Sequence, residues 1–505
     1  MEPFARTTRL VRILAFTLSL CAAHLWGAEH PNVILFIADD VSWSDIGCYG
    51  SQTARTPNID RLAAAGRRFD TAILTASSCS PSRSSVITGR YPHNNGKASE
   101  LHQPIAAHLP WFPRLLKDNG YYTALVGKNH MSSDKPGPGE AVQPPAFDLI
   151  ASGIEPGNHG GHATWVKTVQ ERPKDKPFFF WFASLDAHRD WDGDEDWDAG
   201  RYGPKHDPAS VQVPNFLHDD AQTRQDFASY HNEITRFDFF IGQVVAELEK
   251  ENALENTLIL VMADNGRPFP RAKTRLQDSG MRTPFVAHWP AGIAKAGTPT
   301  QSLISVIDIA PTILGLAGVE AAPSMQGLSF APLFQNPTAT VRHHAFSEHN
   351  WHDYEAHARS VRSEGFLLIT NQRPELASQG PADSVRSPSH QSLRILRDEG
   401  KLTPAQADVF LAPRPAIELY RTDADPDQLQ NLADDPNYAS VKARLASLLD
   451  DWTQVTGDST PEHLSPDAYD RETGERLKGK KGPPERGTPA GDDKDSAHQN
   501  APGPR

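Results

Sequence analysis

Several stretches of the chain are apolar with little polar alternation: residues 32–38, 121–126, 178–184 and 257–263. Strands buried on both faces of a parallel sheet carry this pattern, whereas a sheet with one wet face alternates. Helical segments lie between them. Thr56-Pro57-Asn58-Ile59-Asp60 offers a cap, a proline at the first helical position and an acid in the first turn, and Gly66 closes the segment. Residues 111–117 and 219–252 follow the helical period, and 305–317 form an apolar helix that contains Pro311. Residues 69–74 and 284–289 add two strands, the first leading into a serine-rich loop. This alternation predicts an α/β fold with a large, mostly parallel central sheet flanked by helices. From about residue 340 the pattern changes. Residues 361–369 and 416–421 read as strands of a smaller antiparallel sheet, with an amphipathic helix over 438–454 packed on it. Beyond 458 the chain is rich in Pro, Gly, Lys, Asp and Glu with almost no large apolar residues, which predicts a disordered tail. The expected organisation is an α/β domain over 29–338, a smaller α+β subdomain over 339–457 and a tail over 458–505.

Charge and the termini narrow the class. Among 505 residues, 50 Lys and Arg face 63 Asp and Glu, a formal net charge of −13. That balance argues against nucleic acid or an anionic membrane surface as partner, and leaves room for a local basic pocket. Arg6, Arg9 and Arg12 precede an apolar run over 13–23 that is too short to span a bilayer. It reads as an export signal within 1–28, cleaved after Ala23, Gly27 or Ala28. A lipid anchor at Cys21 is disfavoured by the bulky Leu20. No membrane span is expected, and the mature protein is read as exported, periplasmic or secreted. Of the three cysteines, Cys48 and Cys79 lie beyond the signal, too few for a disulfide framework.

The candidate chemistry sits where the buried strands end. Asp39-Asp40 and Asp264-Asn265-Gly266 each follow an apolar strand, where α/β sheets place ligands. Unpaired, two adjacent acids there repel and lose solvation, so a cation is their natural partner. Oxygen donors without grouped thiolates or histidines suit Ca²⁺ first and Mg²⁺ second. Gly127-Lys128-Asn129-His130 and Asp186-Ala187-His188-Arg189 close two further strands. Ser78-Cys79-Ser80-Pro81-Ser82-Arg83 leads into a short helix expected from Pro81 to about residue 88. Cys79 thus falls just ahead of a helix N-terminus, where free N–H groups and Arg83 attract an anion.

Cys79-Ser80-Pro81-Ser82-Arg83 followed by Ser84-Ser85-Val86-Ile87-Thr88-Gly89-Arg90 resembles the signature of the formylglycine-dependent (type I) sulfatases, in the alkaline phosphatase superfamily. The likeness runs over roughly residues 30–455 and includes Thr56-Pro57-Asn58-Ile59-Asp60-Arg61-Leu62, Gly127-Lys128-Asn129-His130 and Asp264-Asn265-Gly266. It implies an alkaline-phosphatase-like fold and a maturing enzyme that oxidises Cys79 to formylglycine, whose hydrate is the nucleophile. It also implies a calcium site made of Asp39, Asp40, Asp264, Asn265 and the modified Cys79. By the same resemblance Arg83 and Lys128 would hold the hydrate and share the sulfate charge, His130 would assist the hydrate, and His188 would act at the leaving group. After Asp264-Asn265-Gly266 the run Arg267-Pro268-Phe269-Pro270 is similar to the sulfamidase (heparan N-sulfatase) branch, which assigns the sulfate-contacting cation to Lys273, with Arg271 and Arg275 as competitors.

The expected partner is a sulfated carbohydrate, bound by loops that carry His102, Arg189, Glu348, His349 and His352. Trp351 is either a sugar platform or a packing residue. Two other readings stand beside this one: a phosphonate monoester or phosphodiester hydrolase of the same superfamily, and a non-catalytic glycan-binding protein in which Cys79 stays a thiol.

Overall fold

The structure is a computed structural model that describes residues 30–136, 144–191, 194–195, 197–478 and 482–505. The expected export signal and Cys21 lie outside the described residues. Thirteen strands are described: β1 (Asn32–Ala38), β2 (Arg67–Arg68), β3 (Ala72–Ile73), β4 (Tyr122–Gly127), β5 (Leu149–Ala151), β6 (Phe178–Ala183), β7 (Thr257–Ala263), β8 (Phe285–His288), β9 (Ile304–Ser305), β10 (His344–His349), β11 (Ala358–Ser363), β12 (Phe366–Asn371) and β13 (Ile417–Arg421). Seven of them form the central sheet in the order β2-β8-β7-β1-β6-β4-β5. From β7 to β5 neighbouring strands are parallel, while β8 and β2 add an antiparallel edge.

The apolar runs are buried on both faces, as the absence of alternation requires. Val33, Leu35 and Ile37 enter one core, Ile34 and Phe36 the other, all at 0–1% exposure. Each such side chain contributes about 1.5–3 kcal/mol by leaving water. Register fixes the rim. Ala38 pairs with Ala263, and Ile37 with Ala183, so β1, β6 and β7 end at one level. The backbone stays paired one step further, Asp39 N donating to Asp186 O (2.8 Å) and Asp264 N to Ala38 O (3.1 Å).

Five helices matter for the site: α1 (Pro57–Ala64), α2 (Cys79–Thr88), α3 (Ala221–Lys250), α4 (Ile309–Leu316) and α5 (Ala439–Thr456). The second sheet runs β10-β11-β12-β13, antiparallel throughout, with α5 against it. Ala345, Leu367 and Ile369 of that sheet belong to the same apolar cluster as Leu35 and Leu260 of the central one. The two sheets therefore share a core.

Three local expectations are corrected. Residues 69–74 yield only the two-residue β3, paired with β9. The single strand expected over 361–369 is two, β11 and β12, reversed at Glu364-Gly365 with φ of 53° and 78°. Two successive positive φ values make the tight turn that suits the twist of a hairpin.

The third correction concerns the tail, which is not disordered where it is described. Asp458 takes Arg359 in a bidentate pair (2.5 and 2.8 Å). Arg90 donates to Ala497 O and Gln499 O, Asn94 to Ser496 O and Gln326 to Ala501 O, at 2.7–3.0 Å. Composition counts the apolar area that a segment brings, and this one brings little. It is held by buried side chains of the main body that bond its backbone.

Candidate active site

Helix α2 begins two residues earlier than expected. Cys79 is its first residue, Ser78 its cap, and Gly89 ends it in the left-handed region at φ 67°. Every residue of α2 is buried, so the helix drives into the molecule and carries Cys79 to the rim formed by β1 and β7. The thiol lies 3.9 Å from Asp39 Oδ1 and 3.8 Å from Asp40 Oδ1. One turn on, Arg83 meets Asp264 Oδ2 through Nε (2.8 Å) and through its terminal amine (2.7 Å), and also donates to the Lys128 carbonyl (3.2 Å).

Around this pair the expected residues converge. Lys128 Nζ donates to Asp39 Oδ2. Lys273 Nζ donates to Asp40 Oδ2 (2.7 Å), and Asn265 Nδ2 to Asp40 Oδ1 (2.6 Å). Asp40 sits at φ 61°, a strained conformation for a non-glycine residue, and its N–H donates to Asp264 Oδ1 (3.1 Å). His188 Nε2 stands 3.9 Å from Asp40 Oδ2. Of the three candidate cations, Lys273 turns inward. Arg271 bonds the carbonyls of Asp427 and Gln428, and Arg275 pairs with Asp408, both away from the thiol.

The electrostatics follow from burial against charge. Burial alone raises the Asp39 carboxyl, but Lys128, His188, Arg83 and Lys273 overcome it and hold the group well below the usual range. Asp264 goes the other way: burial raises it to about 6, only partly opposed by Arg83. Lys273 loses solvation on burial, yet Asp40 and further anions hold it well above its ordinary value. Burial also pushes the Cys79 thiol up, so as a thiol it is a poor nucleophile at neutral pH. His130 falls to about 2 through burial and then Lys128, and His102 to about 4 through burial and then Arg486. Both rings are therefore neutral at pH 7, and His102 Nδ1 shares one proton with His130 Nε2 across 2.6 Å.

A hard divalent cation fits the donors present. Asp39, Cys79 and Asp264 offer ligand atoms all within 4.8 Å of one another. Asn265 Oδ1 is buried without a hydrogen-bond partner among the described residues, an acceptor left over for a cation. Three carboxylates here meet three cationic side chains, Arg83, Lys128 and Lys273. A dication bound here leaves these groups net positive, which suits a sulfate ester or N-sulfate, whose group carries a single negative charge.

The expected substrate contacts divide. His102 reaches the site through His130, and His352 through Ser78, whose Oγ lies 2.7 Å from Nδ1. Arg189 does not reach it. Its guanidinium is locked on both oxygens of Asp226 (2.7 and 2.8 Å) and on Pro268 O (2.9 Å). Glu348 is fully buried, bonded to His93 (2.6 Å) and Asn350 (3.0 Å), and cannot contact a ligand. His349 lines a neighbouring cleft with Arg414 and Arg471 and falls to about 3 through burial and then Arg275. Trp351 is a packing residue at 2% exposure, clustered with Cys79 and Leu101 and covered by Arg486 at 3.7 Å. Sequence reasoning missed Asp383, which lies 3.9 Å from His188 Nε2 and 4.0 Å from Lys273 Nζ. Nothing local marks it, because only folding brings residue 383 beside the ends of β6 and β7.

The rim of this sheet thus gathers acids, a buried thiol and three cations, and the comparisons place the chain among the sulfuric ester hydrolases. Residues 31–319 match the family model described as Sulfatase, and 272–374 the one described as N-sulphoglucosamine sulphohydrolase, C-terminal. The chain belongs to the sulfatase family. It is 29% identical to N-sulphoglucosamine sulphohydrolase of Homo sapiens over 490 residues, covering 88% of this chain and 93% of that one. An ulvan-active sulfatase of Formosa agariphila is 28% identical over 476 residues, 85% of this chain and 76% of that one. Two solved structures share the fold. One protein, in complex with its substrate D-glucosamine-2-N,6-O-disulfate, aligns at TM-score 0.62 and 20% identity over 84% of this chain and 98% of that one. The phosphonate monoester hydrolase of Agrobacterium radiobacter aligns at TM-score 0.61 and 16% identity over 86% and 98%. Among the described residues no helix is long and apolar enough to cross a membrane.

Proposed function

We propose that this protein hydrolyses the sulfate of a sulfated carbohydrate, with an N-sulfated or O-sulfated amino sugar as substrate. The observation that carries the reading is the seating of Cys79 within 4 Å of two buried carboxylates, Asp39 and Asp40, which Lys128, Lys273 and His188 in turn approach. Asp39, Asp40, Asp264, Asn265 and residue 79 are the set that would hold Ca²⁺. When bound, that ion and the formylglycine form of residue 79 supply charge withdrawal from the sulfate and the attacking hydroxyl.

The chain's own residues do the rest. Arg83, anchored on Asp264, fixes the first turn of α2 and so aims residue 79. Lys128 and Lys273 lie where a sulfate beside residue 79 meets them, and they neutralise its oxygens as charge builds. The neutral His102–His130 pair accepts and returns a proton at His130. His188 delivers a proton from Nε2 to the departing oxygen or nitrogen. The match over 272–374 favours an N-sulfated glucosamine, since that C-terminal model is described for N-sulphoglucosamine sulphohydrolase. Export through the N-terminal signal would place the enzyme where polymeric glycans are met.

The test is peptide mass spectrometry on Cys79 after expression beside a formylglycine-generating enzyme, followed by sulfate release from N-sulfoglucosamine, glucosamine 6-sulfate and an aryl sulfate. Phosphonate and phosphodiester esters are run in parallel. Matured protein that favours the phosphorus esters by orders of magnitude would reassign it. Protein with an unmodified thiol from such a host would leave the glycan-binding reading.

A further inference from the structure

We propose that Asp383 is the positioning partner of His188 on the leaving-group side of the site, an inference that rests on the sulfatase reading above. One nitrogen of His188 is already committed, since Nδ1 lies against the carbonyl of Arg189. A carbonyl accepts, so Nδ1 carries the N–H, and Nε2 is the nitrogen that faces substrate. Two carboxylate oxygens stand 3.9 Å from Nε2, one from Asp40 and one from Asp383.

The two are not equivalent. Asp40 Oδ2 already receives Lys273 Nζ at 2.7 Å, and its Oδ1 receives Asn265 Nδ2 at 2.6 Å. Asp383 Oδ1 accepts from its neighbour Ser384 N (2.6 Å), while Oδ2 lies 3.9 Å from His188 Nε2 and 4.0 Å from Lys273 Nζ. One oxygen therefore holds the carboxylate still and the other turns into the site. The turn that presents it is pinned as well, because Ala382 N donates to Asp353 Oδ2 at 3.0 Å. The Asp383 side chain remains 20% exposed and that of His188 35%, so both keep contact with solvent.

In this arrangement Asp383 aligns the His188 ring with Nε2 toward the scissile bond and offsets the positive charge of the protonated ring. As the S–O or S–N bond breaks, its electron pair goes to the departing oxygen or nitrogen. The proton on Nε2 passes to that atom, and His188 keeps its Nδ1–H on the Arg189 carbonyl. Asp383 neither gains nor loses a proton in the step. Its role is felt in proportion to how badly the leaving group needs one.

That dependence is the test. Asp383→Asn keeps the shape and the Ser384 hydrogen bond but removes the charge, and Asp383→Ala is run beside it. Each is compared with the full-length, matured wild type on 4-nitrophenyl sulfate, whose phenolate leaves unaided, and on N-sulfoglucosamine and a sugar O-sulfate, whose leaving atoms need a proton. We expect kcat on the sugar substrates to fall about tenfold to hundredfold with KM little changed, and the aryl sulfate to lose no more than about threefold. Adding Asp383→Asn to His188→Ala should cost little further, since the partner it serves is gone. Equal losses on all three substrates, or full additivity in the double variant, would overturn the assignment. A wild type that releases sulfate from none of them would sink the sulfatase reading instead, so the two failures are told apart.

Discussion

Lys273→Met probes the centre of the site. Lys273 is 1% exposed, and its ammonium lies 2.7 Å from Asp40 Oδ2. Removing one partner of a buried pair leaves the other charge uncompensated, at about 3–5 kcal/mol. Unfolding entropy of roughly 2.1 cal/mol/K per residue gives about 1 kcal/mol/K for a chain of this size, so the metal-free variant should melt about 3–5 °C lower. Calcium changes the sum, because an ion on Asp40 takes over the compensation that Lys273 supplied. With calcium far above its Kd the difference between variant and wild type should shrink to about 1 °C or less. Activity should not recover with it. A charged hydrogen bond to the sulfate contributes about 1.5–3 kcal/mol, so kcat/KM should fall about tenfold to hundredfold. Thermal melts of both proteins with calcium and with chelator, beside kcat/KM for sulfate release, read all of this. An equal melting loss with and without calcium would refute the sharing of Asp40 between Lys273 and an ion. Unchanged kcat/KM would remove Lys273 from the sulfate and leave the role to another cation.

Three further outcomes are expected. Cys79→Ala should abolish turnover while lowering the melting temperature by no more than about 2 °C, since it deletes one small buried atom; a loss on the scale of a core deletion would contradict its role. Ending the chain at Gly457 should destabilise the protein strongly, because it strips Asp458 from the buried Arg359 and empties the sites of Arg90 and Asn94; a truncated chain with wild-type stability would refute the packed tail. Asp238 lies behind α1, accepting from Asn58 N and Ile59 N, and burial raises it to about 7. A raised carboxyl contributes stability below its unfolded value near 4 that is lost as pH rises through 7. Stability by denaturant titration should therefore slope down between pH 4 and pH 7, and Asp238→Asn should flatten that slope by up to about 1.4 kcal/mol per pH unit; a slope unchanged by the substitution would assign it to other groups.

Much of this molecule is local physics and therefore legible along the chain. Runs such as Asn32–Ala38 and Thr257–Ala263 have no polar face to offer water, so they become inner strands, and the acids that follow them must lie at the sheet's carboxyl rim. The Cys79–Arg83 spacing is likewise a property of one helical turn. The hairpin at Glu364-Gly365 was hidden for a similarly local reason, since two strands with one residue pair between them read as a single run.

What tertiary structure alone decided is which long side chains turn toward Asp39 and Asp40. Arg189 and Lys273 both follow strand ends and both look like anion binders on paper. Asp226, more than thirty residues beyond Arg189, captures its guanidinium, while Asp40 draws Lys273 inward. Asp383 and the tail belong to the same category. A carboxylate becomes a partner for His188, and a polar segment becomes ordered, only through groups hundreds of residues away in sequence. Hydrophobic periodicity is set by neighbours in the chain, whereas the fate of a charge is set by whichever opposite charge the fold brings within a few ångströms.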